Sequence, residues 1–230
     1  MSASPDQKTV LFNKSATSGA DLMTIENFEE HAAIAECHYN ADMSASPIPK
    51  LSVEEYFALI RSTDARFEYH DGEIFPVHAA TWAHGELVTK TARRLDERLD
   101  GQPCRVSTSS VYVRVSPTKV VCPDIVVACP KPDFIDDKRD TITNPKVIVE
   151  ILSPTTADYD YGEKFALYRR LPSFEEYLLI AQDEPRIEVF RKNPDGRWML
   201  TSYEGMEATV RVESLAIDLP LAEIYFEVAP

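Results

Sequence analysis

Two apolar runs, each interrupted by a single acid, constrain this chain more than any other feature. Val147–Leu152 reads VIVEIL, with Glu150 as its only charged residue; VVCPDIVVAC, over Val120–Cys129, has Asp124 as its only one. Continuous runs rich in β-branched residues and bounded by Pro or Asn read as strands covered on both faces. A carboxylate in such a strand is expensive to bury unless something cationic faces it. Two of them in one chain suggest a shared cation.

The elements around these runs alternate between helical and strand patterns. Ser52 and Glu55 form a capping-box pair ahead of a helix over Leu51–Arg61. In Arg66–Val77 a DG pair separates two alternating runs, which predicts a hairpin. Leu87, Thr91, Leu95 and Leu99 fall at helical spacing within Glu86–Leu99, and Gly101 is placed to end that helix. Strands are expected near Arg105–Val106, Ser110–Val115, Pro123–Cys129, Val147–Leu152 and Glu176–Ala181, with a helix over Tyr161–Leu171. A second hairpin, Arg186–Lys192 with Arg197–Tyr203, flanks the turn Asn193–Gly196. The pattern implies an α/β fold, with a central mixed sheet (α+β in character), helices on its faces and appended β-hairpins.

At 230 residues the chain suits one domain, 51–230, behind an appendage over residues 1–50. The first 20 residues are rich in Ser, Ala and Thr and are expected to lack a core, while Asp21–Tyr39 patterns as a short acidic helix. His31 and His38 could share a face of it, but no further ligand is evident nearby. There is no run of 18 apolar residues and no basic-then-apolar leader, so a cytoplasmic location is expected. The four cysteines show no CxxC pair and no zinc spacing, and they are expected as buried free thiols.

A net charge of −14 works against nucleic-acid binding, which depends on Lys and Arg neutralising phosphates. A basic face can still exist on an acidic whole. Lys90, Arg93, Arg94 and Arg98 form one candidate, and Lys164, Arg169 and Arg170 a second; solvated helix surface accounts for either cluster as well. If the strands carrying Asp124 and Glu150 pair, both carboxylates can serve one hard cation. Mg²⁺ (or Mn²⁺) suits two carboxylates plus a substrate phosphate. The plainer alternative is that each acid meets an arginine or caps a loop. Lys164 could reach the carboxylates from its helix, or form only an i,i+4 ion pair with Asp160. Glu73, just past the DG turn, reads equally as a solvent-facing strand residue or as part of a site.

The order Pro123-Asp124, Glu150-Ile151-Leu152-Ser153-Pro154 and Asp160-x-x-x-Lys164-x-x-x-Tyr168 resembles the Uma-type restriction endonuclease family of the PD-(D/E)xK nuclease superfamily. Phe67-Glu68-Tyr69-x-Asp71-Gly72-Glu73 and His84-Gly85 look like two further landmarks of that family. The resemblance spans roughly Leu51–Tyr203 and implies a restriction-endonuclease-like core. It further implies Asp124 and Glu150 as metal ligands and Lys164 as the catalytic lysine, displaced to the helix because Leu152 occupies its usual strand position. By the same carry-over Glu73 and His84 lie near the site, with no role assigned.

The expected activity is endonucleolytic hydrolysis of nucleic acid, DNA above all, by a Mg²⁺-activated water, in a protein that could act as a homodimer; the apolar run Leu215–Val228 is a candidate contact surface, though core packing explains it equally well. The alternative is a non-catalytic interaction or scaffold protein that retains the fold. A glycosidase using the two acids is disfavoured, since Trp82 and Trp198 are the only tryptophans available for a sugar-binding groove.

Overall fold

The computed structural model describes residues 50–77 and 80–228, together with the backbone of two strands, β1 (Thr9–Asn13) and β2 (Leu22–Glu26). The chain falls into two compact units. One comprises residues 1–77 with Pro117–Lys119, and the other His78–Ser116 with Val120–Pro230.

In the smaller unit β1 and β2 pair antiparallel. The helix expected from Asp21 is therefore replaced by strand at Leu22–Glu26, where β-branched Thr24 and Ile25 favour the extended chain; positions 27–39 lie outside the described residues. Helix α1 (Val53–Ser62) carries the full capping box, Ser52 with Glu55, and buries Tyr56, Phe57, Leu59 and Ile60. Strands β3 (Phe67–His70) and β4 (Glu73–Pro76) form the expected hairpin. Its turn needs positive φ at both central residues, 53° at Asp71 and 100° at Gly72, the conformations that a DG pair supplies.

The larger unit begins with α2 (Trp82–Arg98), capped by the Thr81 hydroxyl. It starts four residues before the expected helix, because the apolar spacing marks only the buried stripe and the first turn, residues 82–85, is not buried. Then come β5 (Arg105–Thr108), β6 (Tyr112–Ser116), β7 (Lys119–Val121, which leads in from the smaller unit) and β8 (Ile125–Ala128). After β9 (Thr141–Ile142) and β10 (Pro145–Ile151) a helical stretch follows, made of α3 (Ala157–Tyr159), a π turn (Asp160–Lys164) and α4 (Phe165–Tyr168). The chain closes through β11 (Glu176–Ile180), β12 (Arg186–Lys192), β13 (Trp198–Glu204), β14 (Thr209–Val212), β15 (Ile217–Pro220) and α5 (Leu221–Tyr225).

Six of these strands make the central sheet, in the order β13-β12-β11-β10-β8-β5. Only β10 and β11 run parallel; β8 lies antiparallel on the other side of β10, with Val149 opposite Ile125. The sheet is mixed, and its two central strands are buried on both faces, as their unbroken apolar runs require. Val147, Val149 and Ile151 face one core, shared with Leu87 and Leu95 of α2 and with Leu219, Leu221 and Ile224 near the C-terminus. Ile148 and Leu152 face the other, shared with Phe165, Leu167 and Tyr168. Period-two alternation puts Glu150 on this second face, under the helical stretch that carries Lys164.

Of the two readings of the apolar run Leu215–Val228, core packing accounts for Leu215, Ile217, Leu219, Leu221 and Ile224, which are all buried, while Phe226 is exposed. One expectation fails here. Cys104 and Cys129 are joined in a disulfide and are not free thiols. They flank β5 and β8, whose antiparallel register sets Arg105 opposite Ala128, so the ladder brings together two cysteines that sequence spacing leaves unrelated. Cys122 is buried and forms no disulfide, and Cys37 lies outside the described residues. No helix among the described residues is long and apolar enough to cross a membrane.

Candidate active site

Asp124 sits immediately before β8 and Glu150 is the sixth residue of β10, so direct pairing of these strands sets the two acids side by side. Each carboxylate accepts an amide from the segment that carries the other acid. The Asp124 amide donates to Glu150 Oε2 at 3.2 Å, and the Ile151 amide donates to Asp124 Oδ2 at 2.8 Å. This reciprocal arrangement fixes both carboxylates at one junction of the sheet, and each acid fills an amide that the end of the ladder leaves open.

Glu150 is only 2% exposed and carries the larger electrostatic burden. Lys164 Nζ lies 2.8 Å from its Oε1, and the Tyr168 hydroxyl donates to the same oxygen at 3.0 Å. Lys164 and Tyr168 are four residues apart and meet one acceptor from one helical face. Lys164 is itself nearly buried; it also donates to the Cys122 carbonyl at 3.3 Å and lies 3.5 Å from Asp160 Oδ1. Both alternatives for Lys164 are thus present at once, the i,i+4 pair with Asp160 and the shorter contact with Glu150. The π turn over Asp160–Lys164 is a local widening of the helix of a kind that recurs at functional sites. Burial pushes the Glu150 carboxyl well above the usual carboxylate range, with Asp124 and Asp160 adding to the rise and Lys164 opposing it.

Asp124 behaves differently. Burial disfavours its charge, but the hydrogen bond and charge of His84 outweigh that, helped by Lys164 and the Ile151 amide, and hold its carboxyl below its ordinary value. His84, in the first turn of α2, reaches Asp124 Oδ2 with Nε2 at 3.1 Å. Oδ2 thus takes both His84 and the Ile151 amide, while Oδ1 has no hydrogen-bond partner among the described residues, on a side chain still 21% exposed.

The structure therefore brings together Asp124, Glu150, Lys164, His84 and Asp160. Glu73 belongs to the smaller unit, where it is exposed at the start of β4 with Lys50 Nζ at 3.7 Å. Tyr168 is part of the motif noted in the sequence, but its bond to Glu150 had no signal beyond the four-residue step from Lys164.

A third acid follows the same pattern as the first two. Glu176 opens the apolar strand EYLLI and is fully buried, yet it is held by Arg191 at 2.7 Å and by the amides of Glu213 and Ser214 at 3.1 and 2.8 Å. There the acid meets an arginine and ties β11 to a turn. An acid in an apolar strand is thus not by itself a site; what sets Asp124 and Glu150 apart is their mutual contact, a lysine and an open oxygen.

That open oxygen also decides whether a metal suits these residues. The free Oδ1 of Asp124, beside the Glu150 carboxylate, offers the hard oxygen donors that Mg²⁺ or Mn²⁺ prefers, and such ions keep several waters. No group of three or more His, Cys, Asp or Glu suited to a metal occurs among the described residues.

A mixed sheet flanked by helices, with two acids and a lysine meeting at a pair of central strands, defines a restriction-endonuclease-like core. Comparison with known proteins agrees. Residues 53–222 match the family Uma2, described as "Putative restriction endonuclease", and the chain belongs to that family. It is 33% identical over 186 residues to the uncharacterized protein slr1290 of Synechocystis, across 79% of this chain and 94% of the relative. A second Synechocystis protein, sll1609, also uncharacterized, is 30% identical over 168 residues, or 73% of this chain and 95% of that one. The fold is similar to the crystal structure of a putative nuclease belonging to DUF820 from Anabaena variabilis, with a TM-score of 0.62 at 17% identity, covering 76% of this chain and 97% of the other.

Proposed function

We propose that this protein is a divalent-metal-dependent endonuclease that hydrolyses phosphodiester bonds of DNA, with residues 51–230 as the nuclease domain and the cytoplasm as its place of action. The observation that carries the reading is the reciprocal bonding of Asp124 and Glu150 with Lys164 2.8 Å from Glu150. Asp124, through Oδ1, and Glu150 would hold Mg²⁺ or Mn²⁺. When bound, the ion supplies Lewis-acid stabilisation of the phosphate and an activated water.

The protein's own residues do the positioning. Lys164 favours the ionised form of Glu150 against its burial and places a positive charge where a phosphate approaching the two acids gathers negative charge. Tyr168 fixes the Glu150 carboxylate from the same side. Asp160 holds Lys164 from within its helix. A homodimer would be needed to cut both strands of a duplex at one locus.

The test combines calorimetric titration of Mn²⁺ with a cleavage assay on the same samples. Wild type should bind the ion and cut, and Asp124→Asn and Glu150→Ala should lose both while keeping their circular dichroism. Wild type that neither binds metal nor cuts any nucleic acid would overturn the reading and leave the non-catalytic one.

A further inference from the structure

Lys164, Tyr168 and Asp160 approach the acid pair from one helical stretch; His84 approaches it from another, the first turn of α2. Its ring has one polar contact. Nε2 lies 3.1 Å from Asp124 Oδ2, while Nδ1 is buried with no hydrogen-bond partner among the described residues. An ionised carboxylate only accepts, so Nε2 carries the hydrogen and donates it to Oδ2. A nitrogen engaged in this way has no lone pair left for a cation, and Nδ1 is closed to solvent. His84 thus has a hydrogen bond to give to Asp124 and no nitrogen to offer an ion.

The turn that carries His84 is tied to the end of β10 by two routes. Through side chains, Asp124 Oδ2 takes both His84 Nε2 and the Ile151 amide, the latter at 2.8 Å. Through the backbone, the His84 amide donates to the Thr81 hydroxyl at 3.2 Å, and that hydroxyl donates to Gln182 Oε1 at 2.9 Å. Gln182 Nε2 then donates to the Leu152 carbonyl at 2.7 Å. Ile151 and Leu152 are neighbours, so the two routes close a circuit of hydrogen bonds. Within it, two donors hold one oxygen of Asp124. The terminal torsion of an aspartate is otherwise broad, and its two oxygens exchange places readily. Two donors on Oδ2 remove that freedom and leave Oδ1 as the oxygen with no hydrogen-bond partner among the described residues.

We propose that His84 is a positioning residue: its Nε2–H locks the Asp124 carboxylate so that Oδ1 is held ready for a divalent cation that His84 itself does not touch. The proposal rests on the reading of Asp124 and Glu150 as metal ligands. A group that hydrogen-bonds to a ligating side chain typically carries a factor of about 10–100 in metal affinity, because it fixes the orientation of the ligand before the ion arrives.

Calorimetric titration of Mn²⁺ into the metal-free protein, with no nucleic acid present, reads the effect apart from activity. His84→Leu and His84→Asn both lose the donor, the second because its amide is too short to reach Oδ2. Each should bind Mn²⁺ roughly 10- to 100-fold more weakly. His84→Gln, whose amide nitrogen extends about as far as the imidazole Nε2, should recover most of the affinity. Circular dichroism in EDTA checks that each variant is folded at the temperature of the titration. Pulsed electron paramagnetic resonance of the Mn²⁺-loaded wild type should show no nitrogen of His84 bound to the ion. Cleavage by His84→Leu should return toward the wild-type rate at saturating Mn²⁺, which loss of a proton-transferring histidine would not allow. Wild-type Mn²⁺ affinity in His84→Leu and His84→Asn, or a His84→Gln as weak as either, would overturn the positioning role and leave the metal site standing. A coordinated nitrogen that vanishes in His84→Leu would do the same, since His84 would then be a ligand. Wild type that binds no Mn²⁺ would overturn the positioning role and the nuclease reading together.

Discussion

Replacing Lys164 by Met removes the cation from Glu150 while keeping side-chain length and helix propensity. Lys164 is 8% exposed at its side chain and Glu150 2%, so the pair is buried and solvent screening does not discount it. Removing one partner of such a pair costs about 3–5 kcal/mol, because the remaining charge is stranded. For a chain of this size that corresponds to a fall of about 6–20 °C in melting temperature. The loss should depend on pH in a definite sense. Lys164 opposes the rise of the Glu150 carboxyl, so in its absence Glu150 keeps its proton to still higher pH when folded. The folded state then binds more protons than the unfolded one above the ordinary carboxylate value of 4.5, and stability falls as pH rises through that window. Urea unfolding in EDTA should show a deficit that is largest at alkaline pH and shrinks as pH falls toward the ordinary carboxylate value of 4.5. Adding Glu150→Gln should recover part of the loss, with a coupling of roughly 0.5–3 kcal/mol. A deficit below about 1 kcal/mol, or one independent of pH, would refute the description of Lys164 and Glu150 as a buried, coupled pair.

Glu150→Gln alone should flatten the pH dependence of stability in EDTA, for the same reason: the wild type loses stability as pH rises through the raised Glu150 value, and the amide has no proton to release. Melting curves taken from the ordinary carboxylate value of 4.5 upward into alkaline pH check this, and an unaltered slope would contradict the raised direction. Arg191→Ala should cost about 3–5 kcal/mol by stranding the fully buried Glu176, measured by urea unfolding, whereas a surface-like loss near zero would show that the Glu213 and Ser214 amides suffice.

Much of the fold was legible because its signals are local. The Ser52–Glu55 capping box, the Asp71-Gly72 turn and the NPDG turn each specify structure within four residues, and all lie where expected. The strands at Asp124 and Glu150 were legible as apolar runs, whereas their pairing was only the condition for a shared site until the register supplied it. Features that depend on register were not legible. The Cys104–Cys129 bond exists because β5 and β8 align Arg105 with Ala128. The hydrogen bond from His84 to Asp124 needs α2 to pack with its first turn at the end of β8, which no spacing encodes. Glu176 shows the converse, since it carries the same sequence signal as Glu150 but meets an arginine. The signal reports a buried acid; only the three-dimensional partner says what the acid is for.

The most direct test of the nuclease assignment is cleavage of a mixed panel of single- and double-stranded DNA and RNA in Mg²⁺ or Mn²⁺, by wild type and by Glu150→Ala. The account predicts cutting by the wild type that EDTA and the substitution each abolish while the fold persists. Cutting that survives loss of the Glu150 carboxylate, or its complete absence in the wild type with either ion, would contradict it.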